Sequence, residues 1–288
     1  MLNNIKGIMN RNVQIISPWV SIATAVEIMK QSRASGLPVV EEGSLKGILT
    51  SRDVREAHPN RLVADAMTHN PVAVTPQISL WHAKELLEEH QIERLIVIED
   101  GRLVGIITAT QIYAELGKHI DPLTGLPRAE YLYQKAIELL LQNNQEIIII
   151  FIDMNDFGNI DKDFGHVVGD QVLRQVGDEL QKCLPDNCFL CRYAGDEFAL
   201  VLSAPQKDAI DLAYLLVSRI AQLEFEQDFS ISASAGVAGG RRFNQRLQRE
   251  ENSTVSDLIN MASLASTRAK REKCQVIVAE GLQRIEVS

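Results

Sequence analysis

Two aspartates that lie far apart in the chain occupy positions from which carboxylates can bind a metal ion. Asp153 ends an apolar run, residues 146–153, that is typical of a buried strand. Asp196 lies in a turn between two strand-like segments, residues 188–193 and 197–203. A sheet that pairs these strands brings both carboxylates to one edge, where they suit a hard divalent cation such as Mg²⁺ or Mn²⁺. The alternative, that both are ordinary turn residues, stays open at this point because Asp is common in turns.

The elements around these acids alternate between helix and strand. Amphipathic helices are predicted over residues 129–142, before the Asp153 strand, and over residues 166–184, after it. Pro and Gly residues in the segment 121–127 indicate a turn between domains, with the boundary near residue 117. We therefore predict an α/β (α+β) domain over residues 117–288, with a central, mainly antiparallel sheet flanked by helices.

The first part of the chain contains an internal repeat. Residues 9–57 align without gaps on residues 67–115, an offset of 58. Each copy has a helical pattern followed by two short apolar runs split by a Gly turn, which predicts the order helix, strand, turn, strand, helix. Neither copy has enough strand to form a stable sheet alone. We therefore expect copies at about 1–58 and 59–116 to pack face to face around a pseudo-twofold axis, with ligand clefts between them.

Each copy ends with a short motif that resembles the signature of CBS domain pairs. The motif reads Gly47-Ile-Leu-Thr50-Ser-Arg-Asp53 in the first copy and Gly105-Ile-Ile-Thr108-Ala-Thr-Gln111 in the second. The resemblance implies that Asp53 binds the ribose hydroxyls of an adenine nucleotide (AMP, ADP or ATP) and that Thr50 contacts its phosphate or ribose. Because Gln111 replaces the acid in the second copy, we expect one competent site. The alternative is that Thr50 and Asp53 only cap the helix that follows.

Four motifs in the second part of the chain are similar, in order and spacing, to those of a known family. They are Asp121–Pro127, Phe164–Asp170, Arg192–Phe198 and Ser234–Gly236. They resemble the landmarks of GGDEF diguanylate cyclases, which condense two GTP into cyclic di-GMP. The resemblance covers roughly residues 119–280 and implies a homodimer, in which each 3′-hydroxyl attacks the α-phosphate of the other GTP and pyrophosphate leaves. An adenine nucleotide on the CBS pair would regulate this reaction.

The resemblance to GGDEF cyclases assigns roles to residues around the two aspartates. Asp153, Asp196 and the main-chain carbonyl of Met154 would bind the metal ion. Asp196 would also be the catalytic residue, and Glu197 would help to organise the turn. Gly195 would let the hairpin approach the triphosphate, because a side chain there would block contact with the backbone.

Other residues would bind the substrate by the same resemblance. Asp170 would read guanine, since its carboxylate can accept from both N1–H and the 2-amino group. Lys270 would bind phosphate, and Asp161 stands at a position that contacts guanine in the family. His166 lies in the same turn as Asp170 and either contacts the nucleotide or supports the loop.

Several residues depart from the family pattern. Asp161 replaces an Asn that both donates and accepts, whereas an ionised Asp only accepts. Gly158 replaces a phosphate-binding Lys, and Cys274 replaces an Arg. The inhibitory product site, an Arg-x-x-Asp motif, is replaced by residues 185–188, so feedback through it is not expected. These differences keep a second interpretation open, a catalytically inactive GGDEF domain that acts as a nucleotide-binding receptor or signalling module.

Composition limits the remaining classes of function. The 288 residues suffice for two domains, and the net charge of −9 argues against a nucleic-acid partner without excluding small anionic ligands. No apolar run reaches membrane-spanning length and no signal-peptide pattern is present, so we expect no membrane association and a cytoplasmic location. The four cysteines form no disulfide framework, and Cys188 and Cys191 lack the second close pair that a zinc site would need.

Overall fold

The computed structural model describes residues 4–143, 147–227, 229–239 and 251–279. The chain divides into two units, Met1–Lys118 and His119–Ser288. Over the described residues, no helix is both long and apolar enough to cross a membrane. Both units mix helices with mostly antiparallel strands, which confirms the predicted α+β class.

The first unit contains the two copies of the repeat, and each copy has the predicted order of elements. In the first copy these are α1 (Ile22–Ser32), β1 (Gly36–Glu41), β2 (Ser44–Thr50) and α2 (Ser51–Glu56), and β3 (Thr68–His69), from the start of the second copy, pairs with β2. In the second they are β4 (Ala73–Val74), α3 (Leu80–Glu89), β5 (Arg94–Glu99), β6 (Arg102–Thr108) and α4 (Ala109–Leu116). The short strands β3 and β4 extend the two hairpins into three-stranded sheets and were not predicted.

Local sequence explains why the copies fold alike. The hydroxyl of Ser21 accepts a hydrogen bond from the main chain at the start of α1, and Ser79 does the same for α3. The turn between β1 and β2 is Glu42-Gly43, with φ values of 50° and 78°, and that between β5 and β6 is Asp100-Gly101, with 51° and 74°. Two-residue turns with positive φ match the natural twist of antiparallel strands.

Each copy completes the hydrophobic core of the other. Ile5 and Met9, which precede α1, are buried among residues of α3, β5 and β6 in the second copy. Val63, which follows α2 and precedes the second copy's helix, is buried in the core of the first copy. Gly47 and Gly105 allow this exchange, since a Cβ on Gly47 would lie 2.6 Å from Thr68 O and one on Gly105 would lie 3.0 Å from a main-chain oxygen of the exchanged segment. The two copies therefore fold together.

The second unit is an α/β/α sandwich. Its elements are α5 (Ala129–Asn143), β7 (Ile148–Met154), α6 (Phe157–Phe164), α7 (His166–Lys182), β8 (Cys188–Ala194), β9 (Glu197–Leu202), α8 (Gln206–Ala221), β10 (Ala233–Gly239), α9 (Glu251–Glu272) and β11 (Val276–Val278). The sheet has the order β11-β10-β7-β9-β8, in which only the β10–β11 pair is parallel. This confirms the predicted, mainly antiparallel sheet. The helices α6, α8 and α9 and the strands β10 and β11 were not predicted.

Strand β7 lies at the centre of the sheet and is buried on both faces. Ile148, Ile150 and Ile152 contact the layer that contains α7 and α8. Ile149 and Phe151 contact the opposite layer, which contains α5 and α9. A strand covered on both faces needs apolar residues at every position, which accounts for the continuous apolar run. The first acid after this run is thereby placed at the sheet edge.

Candidate functional site

Strand pairing brings the two predicted metal-binding aspartates to the same edge of the sheet. Asp153 lies near the end of β7, where its Cα is opposite that of Glu197 in β9. Asp196 lies in the β8–β9 turn, after Gly195, which has a φ of 48°. The main-chain N–H of Met154 donates to the carbonyl of Asp196 at 3.4 Å. The end of β7 and the hairpin turn therefore lie against each other.

Electrostatics at this edge favour a bound cation. Burial raises the pKa of Asp196, and the negative charge of Asp153 raises it further, while Lys270 and Arg192 act in the opposite direction. Burial likewise raises the pKa of Glu197, with added contributions from Asp153 and Asp196. Ionised carboxylates this close together repel one another and create a negative potential, and a bound cation reduces that repulsion.

Lys270 already supplies one positive charge to this cluster. Its Nζ donates to Asp153 Oδ1 at 2.7 Å and to the carbonyl of Met154 at 2.7 Å. The Asp153 side chain is 17% exposed and that of Lys270 is 34% exposed, so the contact is partly shielded from water. The predicted phosphate-binding lysine thus contacts two of the three predicted metal ligands.

The donor atoms at this edge fit Mg²⁺ or Mn²⁺. Among the residues that the structure describes, no group of three or more His, Cys, Asp or Glu side chains could hold a metal ion. Mg²⁺, however, commonly binds one or two protein carboxylates and completes its shell with waters and substrate phosphates. Asp153, Asp196 and the Met154 carbonyl provide such hard oxygen donors, and two of them already accept hydrogen bonds from one positive group, the ammonium of Lys270.

The predicted guanine-binding residues lie around the junction of α6 and α7. His166 Nδ1 is 3.1 Å from Asp161 Oδ2, so His166 contacts an acid of α6. Gly169 lies beside this pair, and a Cβ there would have to displace the carboxylate of Asp161. Gly165 links the helices with a φ of 84°, and Asp170 is exposed at the fifth residue of α7. Asp161 and Asp170 therefore lie on either side of one tight helix junction.

Arg192 is a site residue to which the sequence interpretation gave no role. Its Nη1 donates to Asp121 Oδ1 at 2.8 Å, and its Nε donates to the carbonyl of Gly195 at 2.8 Å. Its main-chain N–H donates to Pro127 O at 2.9 Å. One side chain thus fastens the turn at the start of the domain to the hairpin that carries Asp196.

Asp121 is held in the ionised form that this contact needs. Burial by itself acts to raise its pKa, but the hydrogen bonds from Arg192 and Thr124, together with the charge of Arg192, outweigh burial, and the pKa lies below its usual value. Thr124 contributes both its main-chain N–H, at 2.9 Å, and its hydroxyl, at 2.8 Å. Arg192 and Asp121 both stand in motifs visible in the sequence, but only their contact in the tertiary structure identifies them as a pair.

In the CBS unit, Thr50 and Asp53 form a reciprocal cap at the start of α2. Asp53 Oδ2 accepts from the main-chain N–H and the hydroxyl of Thr50, both at 2.7 Å, while Thr50 Oγ1 accepts from the Asp53 N–H at 3.4 Å. Thr108 and Gln111 form the same cap on α4. Gln111 also donates from Nε2 to the carbonyl of Ile8 at 3.1 Å, a bond that an ionised Asp cannot make. The capping alternative is thus observed, and it leaves ligand binding open.

Arg94 is a second residue that the sequence interpretation missed. Its side chain is only 9% exposed, and its Nη2 lies 3.2 Å from Glu93 Oε2. The guanidinium crosses to the first copy, where a Cβ on Gly36 would collide with it. Gly36 is opposite Thr50 in the β1–β2 hairpin. The only signal in the sequence was an Arg in the second copy at the position where the first has Gly.

Comparisons with known proteins agree with this architecture. The family described as "Diguanylate cyclase, GGDEF domain" matches residues 118–275, and the CBS domain family matches residues 5–60 and 63–118. The CBS domain-containing protein YhcV of Bacillus subtilis is 37% identical over 112 residues, which are 37% of this chain and 80% of YhcV. Diguanylate cyclase DgcP of Pseudomonas aeruginosa is 29% identical over 163 residues, which are 54% of this chain but only 23% of DgcP.

A solved structure supports the fold of the second unit. The crystal structure of diguanylate cyclase SiaD from P. aeruginosa, in complex with its activator SiaC, superposes with a TM-score of 0.51 at 24% identity. The match covers 59% of this chain and 65% of that chain, and at this identity it shows the fold alone. Because the GGDEF match spans more than half of the sequence and follows two CBS matches, the chain belongs to the GGDEF diguanylate cyclase family and carries a CBS domain pair before its GGDEF domain.

Proposed function

We propose that this chain is a diguanylate cyclase that condenses two GTP into cyclic di-GMP and is regulated by an adenine nucleotide on its CBS pair. The main support is the sheet edge where Asp153, the Met154 carbonyl and Asp196 come together beside Glu197. Similarity to DgcP over 163 residues adds support from the sequence. The proposed location is the cytoplasm, where GTP and adenine nucleotides are available.

The acids at the sheet edge have separate tasks in this reaction. Asp153, Asp196 and the Met154 carbonyl would hold a divalent cation, which supplies Lewis-acid stabilisation of the charge that develops on the triphosphate. Asp196 would also accept a proton from the attacking hydroxyl. Glu197 would hold the hairpin acid in place from the neighbouring strand position.

The substrate would lie along the hairpin and the α6–α7 junction. Gly195 is exposed and presents its backbone to the triphosphate. Asp170 would accept from N1–H and the 2-amino group of guanine, donors that adenine does not offer. Asp161 and its partner His166 would border the base. Asp170 would therefore favour GTP over ATP, because its carboxylate would lose hydration beside a bound adenine without gaining a hydrogen-bond donor.

Catalysis of this condensation requires two chains. Each GGDEF domain binds one GTP, and two domains in a homodimer would align each 3′-hydroxyl with the α-phosphate of the other nucleotide, so that pyrophosphate leaves in line. The CBS pair would change the population of dimers in which the two sites face each other. Activity should therefore rise more steeply than in proportion to protein concentration at low concentration.

The catalytic proposal is tested by incubating the full chain with Mg²⁺ and GTP, with and without AMP, ADP or ATP, and identifying products by mass spectrometry. We expect cyclic di-GMP and pyrophosphate from the native chain and none from Asp196→Asn. Asp211→Asn, an exposed acid on α8, is the matched control and should retain activity. GTP binding without product in every mixture would contradict the enzyme proposal.

A second candidate function, a nucleotide-binding receptor without catalysis, is favoured by one feature of the site. Asp161 is held by His166 at 3.1 Å where the family has an Asn, and Gly158 and Cys274 bring no positive charge to the substrate. If this arrangement prevents turnover, the double substitution Asp161→Asn and Gly158→Lys should restore turnover. Tight GTP binding that stays unproductive in that variant would favour the receptor.

For the CBS pair, we propose one adenine-nucleotide site per chain, in the cleft that contains Thr50, Asp53 and Arg94. Asp53 Oδ2 serves the helix cap, so Oδ1 would meet the ribose hydroxyls. Arg94 reaches the first copy beside Gly36 and would meet the phosphate together with Thr50. In the second copy, Gln111 is engaged with Ile8, which is consistent with a single site.

Calorimetric titration of the full chain with AMP, ADP and ATP tests this site. We expect a stoichiometry near one and at least about tenfold weaker binding in Arg94→Met, since a charge-assisted phosphate contact is lost. Gln111→Ala should leave the stoichiometry and affinity almost unchanged. Absence of heat for all three nucleotides, or two equal sites per chain, would contradict the proposal.

A further inference from the structure

We infer that Lys270 is a built-in counterion that occupies the cation seat of the GGDEF domain and must leave before a divalent cation binds. The cation seat is defined here as Asp153 Oδ1 and the carbonyl oxygen of Met154. Lys270 Nζ donates to both oxygens at 2.7 Å. The inference rests on the proposed function, because it concerns the metal and nucleotide of that same reaction.

The ammonium and a divalent cation cannot share the seat. Mg²⁺ binds oxygens at about 2.0–2.1 Å and demands nearly octahedral geometry. An ammonium on the same two oxygens would lie in or next to its first coordination shell, where like charges repel strongly in a partly buried site. Binding of the two cations is therefore mutually exclusive.

The fold fixes the point from which Lys270 reaches the seat. Lys270 stands in the last turn of α9, between the buried Ala269 and the exposed Arg271. Gly236 of β10 lets this helix pack closely on the sheet, since a Cβ there would collide with Ala262 O and Ser266 N. The helix therefore cannot shift easily, and release of the seat must occur by rotation of the Lys270 side chain.

A triphosphate offers the released ammonium a new partner. Without nucleotide, a metal ion that enters the seat displaces Lys270 into water, and the gain in metal contacts is offset by the lost ion pair. With nucleotide, phosphate oxygens can bind both the metal ion and Lys270. Metal and nucleotide should therefore bind with positive coupling, and this coupling must be equal in both directions.

A purely structural role for Lys270 makes a different prediction. If the contact only ties α9 to β7, its removal should lower the stability of the domain and leave metal affinity unchanged or weaker. If Lys270 competes for the seat, its removal should strengthen metal binding in the absence of nucleotide. Metal affinity without nucleotide thus separates the two roles.

The test is titration of the full chain with Mn²⁺ alone, with free Mn²⁺ followed by electron paramagnetic resonance. Lys270→Met keeps the length of the side chain and good helix propensity, and circular dichroism checks that it folds. We expect it to bind Mn²⁺ about tenfold more tightly than the native chain, or more, because a charge-assisted contact no longer competes. Arg271→Met, which removes one charge from the same helix end, should match the native chain.

Equal or weaker Mn²⁺ binding in Lys270→Met, including no binding to either protein, would overturn the inference. A second measurement adds a non-hydrolysable GTP analogue, which should raise the Mn²⁺ affinity of the native chain by a larger factor than that of Lys270→Met. These outcomes are independent of turnover. Tighter Mn²⁺ binding without cyclic di-GMP synthesis would leave the counterion role standing and reject the cyclase, whereas synthesis with unchanged Mn²⁺ affinity would do the reverse.

Discussion

Replacement of Arg192 should loosen the hairpin that carries Asp196. The side chain donates to Asp121 Oδ1 and to Gly195 O, both at 2.8 Å, and the ion pair is well shielded, with Arg192 14% and Asp121 16% exposed. Each hydrogen bond to a charged group is worth about 1.5–3 kcal/mol. Because Thr124 still donates hydrogen bonds to the Asp121 carboxylate, we expect Arg192→Ala to lower the free energy of unfolding by about 2–4 kcal/mol.

Hydrogen exchange measured by mass spectrometry is the suitable assay. Both tryptophans, Trp19 and Trp81, lie in the first unit, so their fluorescence does not report directly on the GGDEF domain. Peptides from β8 and β9 should exchange faster in Arg192→Ala, and Arg192→Lys should recover only part of the protection, because an ammonium lacks the fixed fork of a guanidinium.

A double-mutant cycle with Asp121→Asn isolates the ion pair, and Arg219→Ala is a matched control. Arg219 lies 3.7 Å from Glu179 and is 50% exposed, so its loss should cost less than about 1 kcal/mol. The lowered pKa of Asp121 means that this contribution is present above the pKa of the unfolded chain and is lost as pH falls through the folded-state pKa. A coupling energy below about 0.5 kcal/mol at pH 7 would refute the reasoning.

Three further predictions concern other contacts of the chain. Asp196→Asn should abolish cyclic di-GMP synthesis and stabilise the metal-free domain at neutral pH, because the raised pKa of Asp196 means that its ionisation opposes folding. In the native chain, this loss of stability grows as the pH rises from the unfolded-state pKa to the folded-state pKa of Asp196. Urea unfolding at a series of pH values measures it. Gly236→Ala should destabilise the GGDEF domain by more than about 2 kcal/mol in the same assay, since its Cβ meets main-chain atoms of α9; a neutral effect would contradict the close packing. Gly47→Ala should destabilise the CBS unit more than Gly105→Ala, because the nearest main-chain oxygens lie 2.6 and 3.0 Å away, and tryptophan fluorescence during unfolding should rank them in that order.

Much of the fold could be predicted from the sequence because its signals are local. The offset of 58 residues revealed the repeat, and the apolar run that ends at Asp153 indicated a buried strand. The exchange of Ile5 and Val63 between the copies could not be predicted, since apolar residues do not record which core they enter. The helices α6, α8 and α9 and the strands β10 and β11 were missed in the sequence, although apolar residues of each enter the cores of the sandwich.

The sequence by itself determined the two families, the order of the elements in the repeat and the acids at the end of β7 and in the β8–β9 turn, because each depends on local sequence. Only the tertiary structure decided which charges meet: Lys270 with Asp153, 117 residues apart, and Arg192 with Asp121, 71 residues apart. An arginine or a lysine carries the same charge wherever it stands. Its partner is set by the helix register and strand pairing that bring distant backbones within the reach of one side chain.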